Sequence, residues 1–215
     1  MRPWVVGITG ASGAVYGVKL CRFMLEQGMD VHLVITEAGW RVLREELGWD
    51  TARRANELER RFGDCRGTLR YYPLQDIGAS IASGSFRTAG MAIVPCSMGT
   101  LSGIAHGASD NLLERAADVM LKEGRPLILV PRETPLHVIH LENMLKLSRM
   151  GVRIVPAMPA FYHGPQSLDD SIGFMVGKVL DQMGIDHDLY RRWGESDELA
   201  KPEDQSGRPD PGRAN

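Results

Sequence analysis

Trp4-Val5-Val6-Gly7-Ile8-Thr9-Gly10-Ala11-Ser12-Gly13 is an apolar run that breaks into a glycine-spaced turn, and its reading decides the fold. Trp4 to Ile8 predicts a buried strand, and a helix is expected from about Ala14 to Gln27, closed by Gly28. A strand that ends in such a turn and feeds a helix opens a parallel sheet with crossover helices.

The same alternation continues outward from this unit. Val31 to Ile35 predicts a second strand, with a helix from about Ala38 to Leu47. Met91 to Val94 predicts a third, ending at Pro95-Cys96 and a loop Ser97-Met98-Gly99-Thr100, with a helix from about Asn111 to Lys122. Leu127 to Val130 is a further strand before Pro131-Arg132-Glu133-Thr134. A helix from about Ile139 to Met150, a strand Val152 to Val155 and a long helix Ser167 to Met183 complete the pattern. Thr51 to Arg70 is rich in charge and reads as a solvated helix or irregular excursion. Gly78 to Ser85 is rich in small residues and reads as a loop outside the core that closes against a ligand. The expectation is an α/β protein with one domain over residues 1–195. Residues 196–215, polar and carrying Pro202, Pro209 and Pro211, are expected to form a disordered tail.

Composition narrows the function classes. The 215 residues are 43% hydrophobic and 24% charged, enough for a sizeable core. A formal charge of -2 lacks the basic excess of a nucleic-acid binder. Cys21, Cys65 and Cys96 form no CxxC pair, which predicts neither a disulfide framework nor a zinc site. No signal peptide or run of roughly 18 apolar residues is read, so a soluble cytoplasmic protein is expected.

In an open parallel sheet, ligands bind at the carboxyl ends of the strands. Here those ends carry Gly10-Ala11-Ser12-Gly13, Thr36, Ser97 to Thr100 and Arg132-Glu133. The first turn offers backbone N–H groups at a helix start, plus the Ser12 hydroxyl, which suits a phosphate. Its spacing is GxxGxxG, neither the dinucleotide GxGxxG nor a lysine-bearing phosphate loop. Thr36 stands where a dinucleotide site wants an acid, which favours a mononucleotide. Arg132-Glu133 is either a structural ion pair or an anion-gripping guanidinium beside a proton carrier. His137 and His140, with Glu142 close by, lack a third ligand at a matching position, and Cys96 has no histidine placed to activate it.

From about Trp4 to Glu195 the chain resembles the flavin prenyltransferases, the UbiX-like family. The likeness rests on the glycine turn with Tyr16-Gly17, Pro95-Cys96-Ser97-Met98, and Asn111-Leu112-Leu113-Glu114-Arg115-Ala116-Ala117-Asp118-Val119. It continues in Leu121-Lys122-Glu123, Pro131-Arg132-Glu133-Thr134-Pro135, His140-Leu141-Glu142-Asn143-Met144 and Phe161-Tyr162-His163. The resemblance implies a three-layer flavodoxin/Rossmann-like flavoprotein fold. It also implies joining of a dimethylallyl group, from dimethylallyl phosphate, to N5 and C6 of reduced FMN. No metal is implied, the assembly is a homododecamer, and the product, prenylated FMN, serves a UbiD-like decarboxylase. By this resemblance FMN lies on Gly10, Ala11, Ser12, Thr36, Ser97, Met98, Gly99, Thr100 and Arg132. The prenyl phosphate is gripped by Lys122, Tyr162 and Lys178, with Arg115 contributing, by one reading from across a subunit interface. Ser12, Glu46, Glu133 and Lys122 are the implied catalytic groups, Ser83, Gly84 and Ser85 line the prenyl pocket, and Trp193 approaches from the C-terminal segment. Two other readings stay open: an FMN-dependent aromatic-acid decarboxylase, or a non-catalytic flavin carrier.

Overall fold

The computed structural model describes residues 2–192. Six strands, β1 (Trp4–Ile8), β2 (Val31–Ile35), β3 (Leu69–Tyr72), β4 (Gly90–Cys96), β5 (Leu127–Pro131) and β6 (Arg153–Ile154), form one sheet in the order β3-β2-β1-β4-β5-β6. Every pairing is parallel. Seven α-helices flank the sheet among the described residues: α1 (Ala14–Glu26), α2 (Glu37–Leu47), α3 (Arg54–Phe62), α4 (Met98–Ala105), α5 (Leu112–Lys122), α6 (Val138–Arg149) and α7 (Leu168–Met183). This is the doubly wound order, and strand direction of travel reverses between β1 and β4, where a crevice opens at the carboxyl edge.

The core explains the layers. Central strands are buried on both faces, as a sheet covered by helices requires. Val6, Ile8, Leu33, Ala92 and Val130 point to one side, where α1, α2, α3 and α7 contribute Leu20, Leu43, Phe62 and Val176. Val5, Val34, Met91, Ile93 and Leu129 point to the other, where α4, α5 and α6 contribute Leu101, Ala117 and Leu147. Period-two alternation thus divides the strand residues between two cores.

Close approach on the first side depends on missing side chains. A Cβ on Gly17 would lie 2.1 Å from the Val94 carbonyl oxygen, so only glycine lets α1 settle on β4. A Cβ on Gly10 would lie 2.5 Å from Cβ of Ala38, in the first turn of α2. Helix α2 does not run back along the sheet. Its first turn sits by the Ile8 carbonyl, since a Cβ on Gly39 would lie 2.6 Å from that oxygen, while its last turn reaches the start of α1.

The stretch Thr51 to Arg70 holds the expected solvated helix, α3, and leads into the edge strand β3. Two expectations are corrected. Ser97 to Thr100 is not a loop: Ser97 caps α4, its Oγ accepting from the Thr100 N–H at 3.3 Å, and Met98, Gly99 and Thr100 form the first turn. The small-residue stretch is partly core, because Ala79 and Ile81 are buried around a short 3-10 turn, Ser80–Ala82.

Candidate active site

Three helix starts meet at the carboxyl edge. Gly13, with φ of 100°, turns the chain into α1; Thr36 caps α2, its hydroxyl oxygen accepting from the Gly39 N–H at 2.9 Å; Ser97 caps α4. Each presents backbone N–H groups and the positive end of a helix dipole toward the crevice. Thr9, which the sequence reading passed over, locks the crevice floor. Its hydroxyl is fully buried, donates to the Pro95 carbonyl at 2.8 Å and accepts from the Ser97 N–H at 2.7 Å, so the ends of β1 and β4 are tied together.

The glycine turn is not a vacant phosphate cradle. Glu46, from the last turn of α2, accepts from the Gly13 N–H at 3.1 and 3.0 Å through its two oxygens and from the Ala14 N–H at 3.1 Å. The anion at the start of α1 is therefore the protein's own carboxylate, and Ser12 stands exposed beside it. Burial first, and the Glu46 charge second, raise the Tyr16 phenol above its ordinary value.

Arg132 and Glu133 follow β5 and line one cavity with Leu136, Met144, Pro156 and Met158. The Arg132 backbone N–H donates to the Cys96 carbonyl at 3.4 Å, but its side-chain Nε is buried without a hydrogen-bond partner. A dry, unpaired guanidinium N–H is costly, which marks a place where an acceptor belongs. Glu133 is exposed and accepts from the Thr134 N–H at 3.0 Å.

Tyr162 and Lys178 lie next to this cavity. Pro156 and Met158 also line a second cavity, together with Phe174 and Lys178. The Tyr162 ring meets Phe174 edge-on at 5.8 Å, Phe174 packs on Tyr190 at 5.0 Å, and the Lys178 ammonium lies 5.8 Å from the centre of the Tyr190 ring. Lys178 is paired with Asp181 at 3.3 Å. Asp181 also accepts from Tyr190, at 2.5 Å, and from Arg192, at 2.9 Å, and meets His187 Nε2 at 3.1 Å. Burial opposes its ionisation, but the hydrogen bonds from Tyr190, Arg192 and Lys178 prevail and hold it down at about 2.

Arg115, Lys122 and Ser83 to Ser85 are elsewhere. Lys122 ends α5 and pairs with Glu123 at 2.9 Å, five residues before β5 begins, at the amino edge of the sheet. A Cβ on Gly84 would lie 2.9 Å from the Lys122 ammonium, so the Ser83–Ser85 stretch packs there too. Arg115 lies about two turns earlier on α5, roughly 10 Å along it, donating to the Ala82 carbonyl at 3.3 Å and pairing with Asp118. The 7 residues of β4 span roughly 23 Å, which separates this group from Ser12 and Ser97 by more than a lysine side chain can bridge. Within one chain, therefore, Lys122 stands apart from Tyr162 and Lys178. Trp193 and the tail lie outside the described residues.

Known proteins agree with this architecture. The flavoprotein family model matches residues 1–178. A flavin prenyltransferase UbiX of Alkalihalophilus pseudofirmus is 63% identical over 88% of this chain and 95% of its own length. Among solved structures, AnUbiX (PadA1), in complex with FMN and dimethylallyl pyrophosphate, superposes with a TM-score of 0.82 at 39% identity, covering 89% of this chain and 97% of that one. A dodecameric FMN-dependent UbiX-like decarboxylase from Escherichia coli O157:H7 gives 0.80 at 46% identity, over 89% and 98% of the two chains. Joined to the doubly wound sheet and the crevice between β1 and β4, these likenesses establish that the chain belongs to the flavoprotein family and, within it, to the flavin prenyltransferases.

Proposed function

We propose that this chain transfers a dimethylallyl group from dimethylallyl phosphate to N5 and C6 of reduced FMN, making the prenylated cofactor of a UbiD-like decarboxylase. The observation that carries the reading is the Arg132-Glu133 pair: a buried guanidinium Nε without a partner, beside an exposed carboxylate, at the mouth of the strand-end crevice. The residues fit an anionic mononucleotide, since the crevice also offers the hydroxyls of Thr36, Ser97 and Thr100 and the positive ends of α2 and α4, with Gly10, Ala11, Ser12, Met98 and Gly99 along its walls. Bound reduced FMN would supply the electron-rich N5 and C6 that accept the isoprenoid.

The remaining work falls to side chains. Breaking the allylic C–O bond leaves its electron pair on the departing phosphate, where Lys178, Lys122 and Arg115 would balance the charge and the Tyr162 hydroxyl would donate a hydrogen bond. Because Lys122, Arg115 and Ser83–Ser85 stand at the other edge of the sheet, they serve this crevice from a second copy of the chain, in keeping with a homododecamer. Glu133 holds a proton for the leaving phosphate or collects the one lost from C6. Glu46, fixed by two backbone N–H groups, orients the turn on which Ser12 sits. Residues 1–195 would act as one domain, in the cytoplasm.

The test is anaerobic incubation of the protein with reduced FMN and dimethylallyl phosphate, followed by mass spectrometry of the flavin. An adduct of one isoprenyl unit is expected. Absence of the adduct with both the monophosphate and the diphosphate rejects the reading, and release of carbon dioxide from an aromatic acid by the protein alone would replace it with decarboxylation.

A further inference from the structure

The stretch from Ser80 to Phe86 joins β3 to β4 and is gripped at both ends by one buried imidazole. His32, on β2, is 7% exposed. Its Nδ1 lies 2.9 Å from the Tyr72 hydroxyl, and that hydroxyl lies 3.1 Å from Oγ of Ser80, at the start of the stretch. At the far end, the Phe86 ring packs on the same imidazole at 5.3 Å, while Tyr72 stacks on it at 5.5 Å. Between these anchors Ser83 and Ser85 bond each other at 2.9 Å, Arg115 donates to the Ala82 carbonyl at 3.3 Å, and Arg125 donates to the carbonyls of Gly84 and Phe86, the latter at 2.7 Å.

We propose that His32 is a positioning residue for the 80–86 segment, acting through Tyr72 on its first residue and through ring packing on its last. The part of this proposal that concerns catalysis rests on the reading that the segment lines the prenyl pocket.

The direction of the hydrogen bonds gives the device a preferred protonation state. With Nδ1 unprotonated, Ser80 donates to Tyr72 and Tyr72 donates to His32. A protonated imidazole would reverse that chain and place a cation in the core. Burial, and then the Arg70 charge from the paired position on β3, lower the His32 pKa, while Asp30, just before β2, raises it. Helix α5, packed on this side of the sheet, brings the apolar Leu113, Ala117 and Met120 to the surrounding core. The neutral form therefore holds the segment at neutral pH, and acid below the ordinary histidine range loosens it.

The experiment pairs hydrogen exchange with kinetics on the full-length protein. His32→Leu removes the acceptor, and Tyr72→Phe removes the hydroxyl that joins His32 to Ser80 while keeping both rings in place, which guards against a variant that fails to fold. His32→Asn keeps an acceptor near the Nδ1 position without an acid-titrating group. At neutral pH, exchange in residues 80–86 is expected to rise about five-fold in His32→Leu and Tyr72→Phe, from the loss of one buried hydrogen bond. Exchange in α7 should stay unchanged, and His32→Asn should recover most of the protection. KM for dimethylallyl phosphate should rise by a similar factor with FMN affinity unaltered. Acidification below the ordinary histidine range should loosen the wild-type segment but not that of His32→Asn. Unchanged exchange in His32→Leu and Tyr72→Phe, or a His32→Asn as loose as His32→Leu, overturns the positioning role. A loosened segment with unchanged KM overturns its link to the prenyl donor. A wild type that forms no adduct rejects prenylation itself, while the exchange result still decides the role of His32.

Discussion

Replacing Thr9 by valine tests the tie between β1 and β4 with almost no change of shape. The hydroxyl makes two hydrogen bonds, to the Pro95 carbonyl at 2.8 Å and from the Ser97 N–H at 2.7 Å. Pro95 keeps a second donor, the Thr9 backbone N–H at 3.2 Å, whereas the Ser97 N–H is stranded. Two bonds at about 1 kcal/mol each, plus part of the cost of an unsatisfied N–H, give a loss of about 2–3 kcal/mol. For a chain of this size that corresponds to a fall in Tm of roughly 5–10 °C. Urea and thermal unfolding of the flavin-free protein, at one fixed protomer concentration because assembly shifts Tm, measure it. Thr9→Ser is the control: it keeps the hydroxyl and loses only a methyl, at a cost near 1 kcal/mol. FMN affinity, read by fluorescence titration, should fall in the valine variant, because Ser97 and the start of α4 lose their anchor. A valine variant within about 0.5 kcal/mol of wild type, or a serine variant equally destabilised, would refute the argument.

Other perturbations follow from the same geometry. Gly10→Ala places a methyl 2.5 Å from Cβ of Ala38; a loss of about 1–3 kcal/mol in denaturant unfolding and weaker FMN binding are expected as α2 is pushed from its seat. Arg132→Lys keeps the charge but gives up the planar fork and the buried Nε, so the FMN dissociation constant should rise about ten-fold at unchanged fold, as checked by circular dichroism. Asp181 is depressed from an ordinary 3.8 to about 2, so it stabilises the fold above pH 3.8 and that stability is lost as pH falls toward 2. Allowing for solvent screening, the loss is about 1 kcal/mol, and Asp181→Asn should flatten this part of the acid unfolding curve.

Much of the frame was legible in the chain, and the misses have physical causes. β1 and β2 begin and end where their apolar runs do, because strands buried on both faces leave no ambiguity of period. β3 escaped because Leu69-Arg70-Tyr71-Tyr72 is a short edge strand, half exposed and carrying a charge. α4 escaped because Gly99, Ser102 and Gly103 read as loop, yet burial of Met98, Leu101, Ile104 and Ala105 outweighs propensity. The Ser97 cap and the spacing of those four residues were the available signal. At the site, strand ends located Ser12, Thr36, Ser97 and Arg132 well. Glu46 was reached only through family resemblance, since nothing local says that α2 crosses over the start of α1. Lys122 could have been placed from topology alone: a crossover helix returns to the amino edge, and its last residue goes with it.

That return of α5 has a genetic consequence. The proposed reaction centre, drawn from opposite edges of two sheets, would be complete in no single chain. A lesion at Glu133 and a lesion at Lys122, each inert alone, should therefore rescue one another when expressed together. At equal expression about a quarter of the centres in mixed assemblies would draw the sound half from each parent. Two lesions at the same edge, such as Glu133 with Arg132, would show no such rescue. Loss-of-function alleles should fall into two complementation groups, divided by the edge of the sheet and not by order along the gene.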